Sequence, residues 1–279
     1  MFQRETIVSK QLVLLGASVC LGATLSAGAA KSEDTVADIR IATGIEYTTG
    51  DYGGSGDIDE TYAPFTLSVT GGRMGARLTV PYLSVSGPEA VLHGETDGEV
   101  NPADTPQVRE SGLGDIVASV TVFDVIDSRR LDLAVDLTGK IKFGTADART
   151  GLGTGEDDYS VLVDVYKFVG RGALVGTVGY KFRGEPEGVS LEDVMLGSVG
   201  ALVDVGARSR FGLFYDYREA SLLDADELRE LSLFGSHDLN GAWRMQYYIF
   251  TGFTNSGPDW GAGLNVGVNL PRSASRYRD

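Results

Sequence analysis

Between Leu131 and Phe143 the chain alternates without a break for thirteen residues. Odd positions read Leu131, Leu133, Val135, Leu137, Gly139, Ile141 and Phe143, and even positions read Asp132, Ala134, Asp136, Thr138, Lys140 and Lys142. Successive side chains of a strand point to opposite faces, so as a strand this stretch has one apolar face and one face bearing four charges. As a helix it would carry charge on every side. A soluble sheet also alternates, but length separates the two cases: ordinary strands run about 5–6 residues, whereas a tilted strand crossing a membrane needs about 9–11. Phe143 ends the apolar face with an aromatic residue, as a barrel strand does at a membrane interface.

The two-faced pattern recurs along the chain. Ile39, Ile41, Thr43, Ile45 and Tyr47 alternate with Arg40, Ala42, Gly44, Glu46 and Thr48, and Phe65, Leu67 and Val69 alternate with Thr66, Ser68 and Thr70. Leu78, Val80 and Tyr82 follow the Gly71-Gly72 turn, and further strands are expected near 116–125, 159–166, 174–182, 194–205, 211–217, 227–236, 243–253 and 262–270. With the opening stretch that makes twelve strands. The segments from Gly50 to Glu60 and from Ser86 to Ser111 read as polar loops.

Two regularities select a membrane barrel over a sandwich. Connections alternate between longer acidic loops and short turns, as in bacterial outer-membrane barrels with long outer loops and short periplasmic turns. Strands running toward the long loops finish their apolar face with Tyr47, Phe143, Tyr180 and Phe182, Tyr215 and Tyr217, or Phe253. A sandwich gives no reason to gather aromatics at one end of alternate strands. The expected fold is therefore all-β: a transmembrane, antiparallel up-and-down β-barrel of about twelve strands.

Residues 1–30 read separately, as a signal peptide: Arg4 and Lys10 precede the apolar run from Leu12 to Leu25, and Ala27-Gly28-Ala29-Ala30 offers a small-residue cleavage site. Residues 31–279 then form a single barrel domain. Cys20 falls within the apolar run and follows Val19, not the small residue a lipoprotein signal wants, so the mature chain is expected to have no thiol. Cleavage removes two cations and one anion and takes the net charge from −15 to −16, which argues against nucleic acid as a partner. Beyond residue 30 no apolar run is long enough for a membrane-spanning helix, and the mean hydropathy of −0.03 is compatible with strands that show only half their residues to lipid. The expected partners are outer-membrane lipid, a small-molecule solute and, during biogenesis, the barrel-assembly machinery.

Several spaced motifs stand in the order of a known family: Ser-Gly-Leu-Gly-Asp-Ile at 111–116, Lys-Phe-Gly-Thr-Ala-Asp at 142–147, Gly-Leu-Gly-Thr-Gly-Glu-Asp-Asp-Tyr at 151–159, Gly-Tyr-Lys-Phe-Arg-Gly-Glu-Pro at 179–186, Tyr-Asp-Tyr-Arg-Glu-Ala-Ser at 215–221 and Thr-Asn-Ser-Gly-Pro-Asp-Trp-Gly at 254–261. From about 111 to 270 the chain resembles the outer-membrane transporter family named after the meta pathway of phenol degradation. The resemblance implies a channel for small, hydrophobic or aromatic molecules and fixes no particular substrate. The sequence departs from the family at Phe143-Gly-Thr-Ala-Asp147, where a Pro-Thr-Gly-Asp turn is common. Unlike many barrels, it also runs past Leu270 to Asp279 instead of ending on an aromatic.

Alternation assigns Arg40, Asp132, Asp136, Lys140, Lys142, Asp164, Lys181, Arg183, Arg218 and Arg244 to the lumen, with Glu46, Arg210 and Asp216. Lys140, Lys142, Lys181, Arg183 and Arg218 would sit in the outer half. They would form either a basic constriction favouring anions or part of an ion-pair network filling a narrow bore. Gly151-Leu-Gly-Thr-Gly155 is followed by Glu156-Asp157-Asp158, not Lys-Ser/Thr, so it reads as an exposed loop and not a phosphate cradle. Asp51, Asp57, Asp59 and Glu60 lack the EF-hand spacing and read as a solvated acidic loop. No metal, cofactor or catalytic residue is expected: a lipid hydrolase needs a Ser–His pair, and Ser236 and His237, adjacent in one strand, would face opposite sides, while His93 lies in the long acidic segment. A structural or adhesive barrel with a plugged lumen is the alternative to a channel.

Overall fold

The computed structural model describes residues 37–52, 56–88, 106–147, 150–186, 190–222 and 225–270. The expected signal peptide, Cys20, His93, residues 89–105 of the acidic segment and the tail beyond Leu270 lie outside the described residues. The strands are β1 (Asp38–Gly50), β2 (Ile58–Gly71), β3 (Met74–Pro88), β4 (Gln107–Leu113), β5 (Ile116–Ser128), β6 (Leu133–Phe143), β7 (Asp158–Val169), β8 (Gly172–Phe182), β9 (Val194–Val205), β10 (Ser209–Arg218), β11 (Leu228–Asp238), β12 (Trp243–Gly252) and β13 (Trp260–Asn269).

All pairings are antiparallel, and the sheet closes where β1 meets β13, with Arg40 opposite Asn269 and Thr49 opposite Trp260. Thirteen strands make a twelve-stranded wall because β4 and β5 share one place in it. β4 pairs with the outer half of β3, from Pro88 opposite Gln107 to Tyr82 opposite Leu113, and β5 takes over from Thr79 opposite Val117 to Met74 opposite Val122. Between them the Gly114 amide donates to the Pro81 carbonyl at 3.0 Å, and Asp115 turns inward. Closure pairs the strands that cross the apolar band on both sides, which is what lipid demands of a β-structure, while among the described residues β4, above the band, has β3 as its one partner strand.

The alternation seen in the sequence becomes an outside and an inside. Leu213, Leu233 and Ile249 lie side by side on β10, β11 and β12 and are 46%, 54% and 57% exposed. Ser232 and Glu230, on the opposite face of β11, are buried. Exposed apolar side chains on every side of a closed wall would be unstable in water and suit a hydrocarbon surround. At the loop end Tyr47 packs on Trp260 with ring centroids 5.6 Å apart, and Tyr180 on Phe182 at 4.9 Å, giving the expected aromatic collar.

Five short turns, at 72–73, 129–132, 170–171, 206–208 and 239–242, lie at one end of the barrel together with both ends of the described chain. Six longer connections lie at the other. Gly72, Gly170 and Gly206 hold positive φ at three of the turns, where L side chains are strained.

Three details differ from the sequence-based expectation. Leu131 and Asp132 belong to the turn before β6, with Asp132 at φ 47°, so strand alternation cannot be counted back through them. β2 starts at Ile58, inside the segment expected to be a polar loop. β3 runs to Pro88 and β4 begins at Gln107, both within the stretch Ser86 to Ser111. The reason is the same in the last two cases: near the loop end, polar residues such as Glu60 and Arg109 pair along the ladder beyond the apolar band, where hydropathy no longer alternates.

Candidate functional site: the barrel lumen

At the loop end, Lys142 is the centre of a charged network. It stands on the inward face of β6, and its Nζ donates to Asp115 Oδ2 at 2.8 Å, to Thr154 Oγ1 at 2.8 Å and to the Glu156 carbonyl at 3.0 Å. Asp158 Oδ2, on β7, is 3.5 Å from Lys142 Nζ and 2.9 Å from Lys181 Nζ. Asp115 also accepts the Ala146 amide at 3.0 Å, and Asp157 accepts the Gly144 amide at 2.9 Å. Gly144, Ala146, Thr154 and Glu156 are thereby tied to the Lys142–Asp115–Asp157 cluster. A lysine with three oxygen partners and two nearby carboxylates is a compensated charge, as a buried cation must be.

Of the two arrangements expected for these cations, the described residues show the ion-paired one. Lys142, Lys181, Arg183 and Arg218 are interleaved with Asp115, Asp158, Asp216, Glu230, Glu46 and Glu60, all six of which are buried. Alternation identifies the cations because Lys142, Lys181 and Arg218 lie within β6, β8 and β10 and Arg183 follows β8 in phase. Asp115 sits at the β4–β5 break, Asp158 at the first position of β7, and Glu60 beyond the apolar part of β2, so their inward direction was not legible. The register gives it: Glu60 is opposite Thr48, and Asp158 opposite Lys142.

An apolar cluster caps this end. Tyr52, Ala146 and Leu152 come from loops and pack with Ile58, Leu83 and Val85 of the wall, flanked by Tyr62, Val108 and Leu222. The glycine-rich segment that might have suggested a phosphate cradle is part of this cap, with Gly151 and Gly155 at φ 70° and 72° allowing the tight path. Among the described residues, no group of three or more His, Cys, Asp or Glu could hold a metal ion.

Along the barrel, aromatic rings lie against the wall over glycines. A Cβ on Gly263 would stand 2.3 Å from Tyr248, one on Gly261 2.4 Å from Phe250, one on Gly200 2.2 Å from Phe214, and one on Gly75 2.9 Å from Phe123. The glycine on the neighbouring strand is what lets each ring lie along the wall and not project across the bore. Asp136 and Asp164 are directly opposite on β6 and β7. Asp136 accepts the Asp124 amide at 2.8 Å, and Asp164 accepts the Thr177 hydroxyl at 2.6 Å. Lys140 lies inward on the same ladder, opposite Ser119 and Ser160.

At the turn end two hairpins repeat one device. Arg210 grips Asp204 with Nε–Oδ1 2.6 Å and Nη2–Oδ2 3.1 Å, and Arg244 grips Asp238 with the corresponding distances 2.5 and 3.2 Å. Each is a bidentate guanidinium–carboxylate pair six residues apart across a short turn. Arg40, on β1, stands near both Arg244 and Arg77. A cavity of about 260 Å³ opens here, lined by Arg208, Asp238, Asn240, Trp243, Arg244 and Asn269 among others.

Of the residues assigned to the lumen, Arg40, Asp136, Lys140, Lys142, Asp164, Lys181, Arg218 and Arg244 face it from strands. Arg183 sits one residue past β8, its amide donating to Asp193 at 2.9 Å. Asp132 does not face the lumen. It is exposed in the turn, where its carbonyl accepts the Phe168 amide at 2.8 Å. Ser236 and His237 point to opposite faces. His237 instead pairs on the outer face with Ser209 Oγ at 2.8 Å and Tyr247 Oη at 3.0 Å, between the rings of Phe211 and Tyr247. Cross-strand pairing, invisible in sequence, makes that cluster. Among the described residues, hydroxyls meet both ring nitrogens of His237.

No protein-family model and no curated protein matches the sequence. Solved structures do. The COG4313 outer membrane channel from Pseudomonas putida F1 superposes over 86% of this chain and 100% of its own, with a TM-score of 0.64 at 11% identity. The transport unit of the autotransporter AIDA-I from Escherichia coli covers 96% of this chain and 99% of its own, with a TM-score of 0.52 at 7% identity. At such identities the likeness is one of fold, and the fold is that of the outer-membrane β-barrels.

Proposed function

We propose that this protein is a passive channel in the outer membrane of a Gram-negative cell, passing small solutes that include hydrophobic and aromatic ones. The observation that carries this is the bore itself: a closed wall, apolar outside, whose inner surface combines paired charges with aromatic rings held flat by glycines. Paired charges keep the lining wet without a strong single-sign field, and flat rings offer apolar contact along the path. A twelve-stranded barrel lies in size between the filled eight-stranded barrels and the open porins, which suits slow passage of small molecules. The proposal includes export by a signal peptide over residues 1–30, insertion by the barrel-assembly machinery, long loops facing outward, and no covalent chemistry. It also extends the resemblance to the phenol meta-pathway transporters, which supplies the aromatic solute class.

Single-channel recording of the refolded protein in a planar bilayer tests it. Discrete conductance steps with a small reversal potential in a potassium chloride gradient are expected, because cations and anions are interleaved along the bore. Failure to conduct would favour the second reading, a structural or adhesive barrel whose loop-end cluster of Tyr52, Ala146 and Leu152 with Ile58, Leu83 and Val85 seals the mouth. A strong anion preference would restore the basic constriction.

A further inference from the structure

Besides Asp136 and Asp164, the lumen wall carries a second pair of opposed carboxylates, nearer the loop end. Asp216 on β10 and Glu230 on β11 are direct register partners, and each is only 4% exposed. Like charges placed opposite each other oppose pairing of the strands that carry them. Asp216 Oδ2 and Glu230 Oε1 make no hydrogen bond among the described residues. Glu46, beyond β12 and β13, is within electrostatic reach of Glu230 and is likewise buried. Arg218 lies beside Glu230, so the opposed Asp216–Glu230 pair has one guanidinium close to two carboxyl groups.

The surroundings of the carboxylates are aromatic. Tyr52 lies near Glu60, Glu230 and Glu46; Tyr62 lies near Glu46 and Glu60; the Tyr248 hydroxyl donates to Glu46 Oε2. Between Glu230 and Glu46 the wall carries Tyr248 and Phe250, whose rings lie over Gly263 and Gly261. Flat rings beside carboxylates attract a cation both through the ring face and by direct charge. Because no three acidic side chains among the described residues converge closely enough for a metal ion, the arrangement suits a larger cation.

We propose that this part of the lumen is a binding site for a small organic cation with an apolar body, such as a protonated aryl-alkylamine. Its ammonium group sits among Asp216, Glu230 and Glu46, and its body lies against Tyr52, Tyr62 and Tyr248. The site deepens the channel reading by naming a solute class, and it rests on that reading only for access from the outside.

Benzylammonium chloride and its neutral counterpart benzyl alcohol, titrated calorimetrically into the detergent-refolded full-length protein, test the proposal. Benzylammonium is expected to bind at least tenfold more tightly than benzyl alcohol. The double variant Asp216→Asn/Glu230→Gln is expected to lose that preference while keeping the heat-modifiable electrophoretic mobility of a folded barrel. Glu46→Gln, on the far side of the site, provides a second variant and is expected to weaken benzylammonium binding severalfold. Equal binding of the two probes, no binding of either, unchanged binding in both variants, or displacement of benzylammonium by equimolar calcium would overturn the proposal. Bilayer conductance is read separately. Binding without conductance removes the channel and keeps the site, and conductance without charge-selective binding does the reverse.

Discussion

The Tyr248 hydroxyl on β12 donates a hydrogen bond to the Glu46 carboxylate on β1, joining residues 202 apart in sequence across the intervening strand β13. Gly263 makes it possible, since it is the register partner of both residues and has no side chain to stop the ring lying over it. Gly263→Ala would put a Cβ 2.3 Å from the tyrosine ring. The ring must then swing into the bore, and overpacking of this kind costs about 1–3 kcal/mol. The expected outcome is a lowered unfolding midpoint in detergent together with a reduced single-channel conductance, whereas Tyr248→Phe, which keeps the ring in place, leaves conductance close to that of the wild type.

Lys142 holds Thr154 and Glu156 of the β6–β7 connection against the wall. Lys142→Met would leave buried Asp115 without its cation partner among the described residues, while Asp158 keeps Lys181. Breaking a buried pair from one side typically costs about 3–5 kcal/mol. Urea unfolding from lipid vesicles should register that loss. Adding Asp115→Asn to Lys142→Met should recover part of it, because the stranded charge is then removed.

The direction of each strand's two faces is tested by one arginine. Leu233 lies on the outer face, in register with Leu213 and Ile249. Leu233→Arg should destabilise the membrane-inserted barrel by about 2–4 kcal/mol, the cost of an arginine facing the centre of the hydrocarbon. Gln246→Arg, inward on β12 and opposite Ser236 and Asn265, should leave insertion unchanged and alter ion selectivity instead.

The hairpin clamps at the turn end carry less stability. The Arg244 and Asp238 side chains are 33% and 41% exposed, so solvent screens their attraction. Arg244→Gln should cost about 1 kcal/mol or less, as partly exposed ion pairs do. Its effect should appear in conductance, as a change in rectification, because the pair borders the inner mouth.

The sequence was most legible where strands cross the apolar band. Period-two alternation placed twelve spans, their two faces, the alternate loop lengths and the aromatic collar, because lipid on one side and water on the other impose opposite chemistries on successive residues. It also gave the inward cations of β6 and β8, Lys142 and Lys181. It overran at Asp132, where the chain leaves extended geometry, and it missed β4, where polar side chains lie on both faces above the band.

The amino-acid sequence by itself therefore determined that the chain closes into a barrel and, within the regular part of its strands, which residues face in. What stands next to what inside was decided only by tertiary structure. Asp115 meets Lys142, Asp216 meets Glu230, and Ser209 meets His237 through the register of neighbouring strands, while Glu46 meets Tyr248 across a whole strand. Register follows from turn geometry and from closure of the ring, and neither is a property of any one strand. That is why the bore is mixed in charge and not basic, and why its excess of buried carboxylate near β10 and β11 appears only in the folded protein.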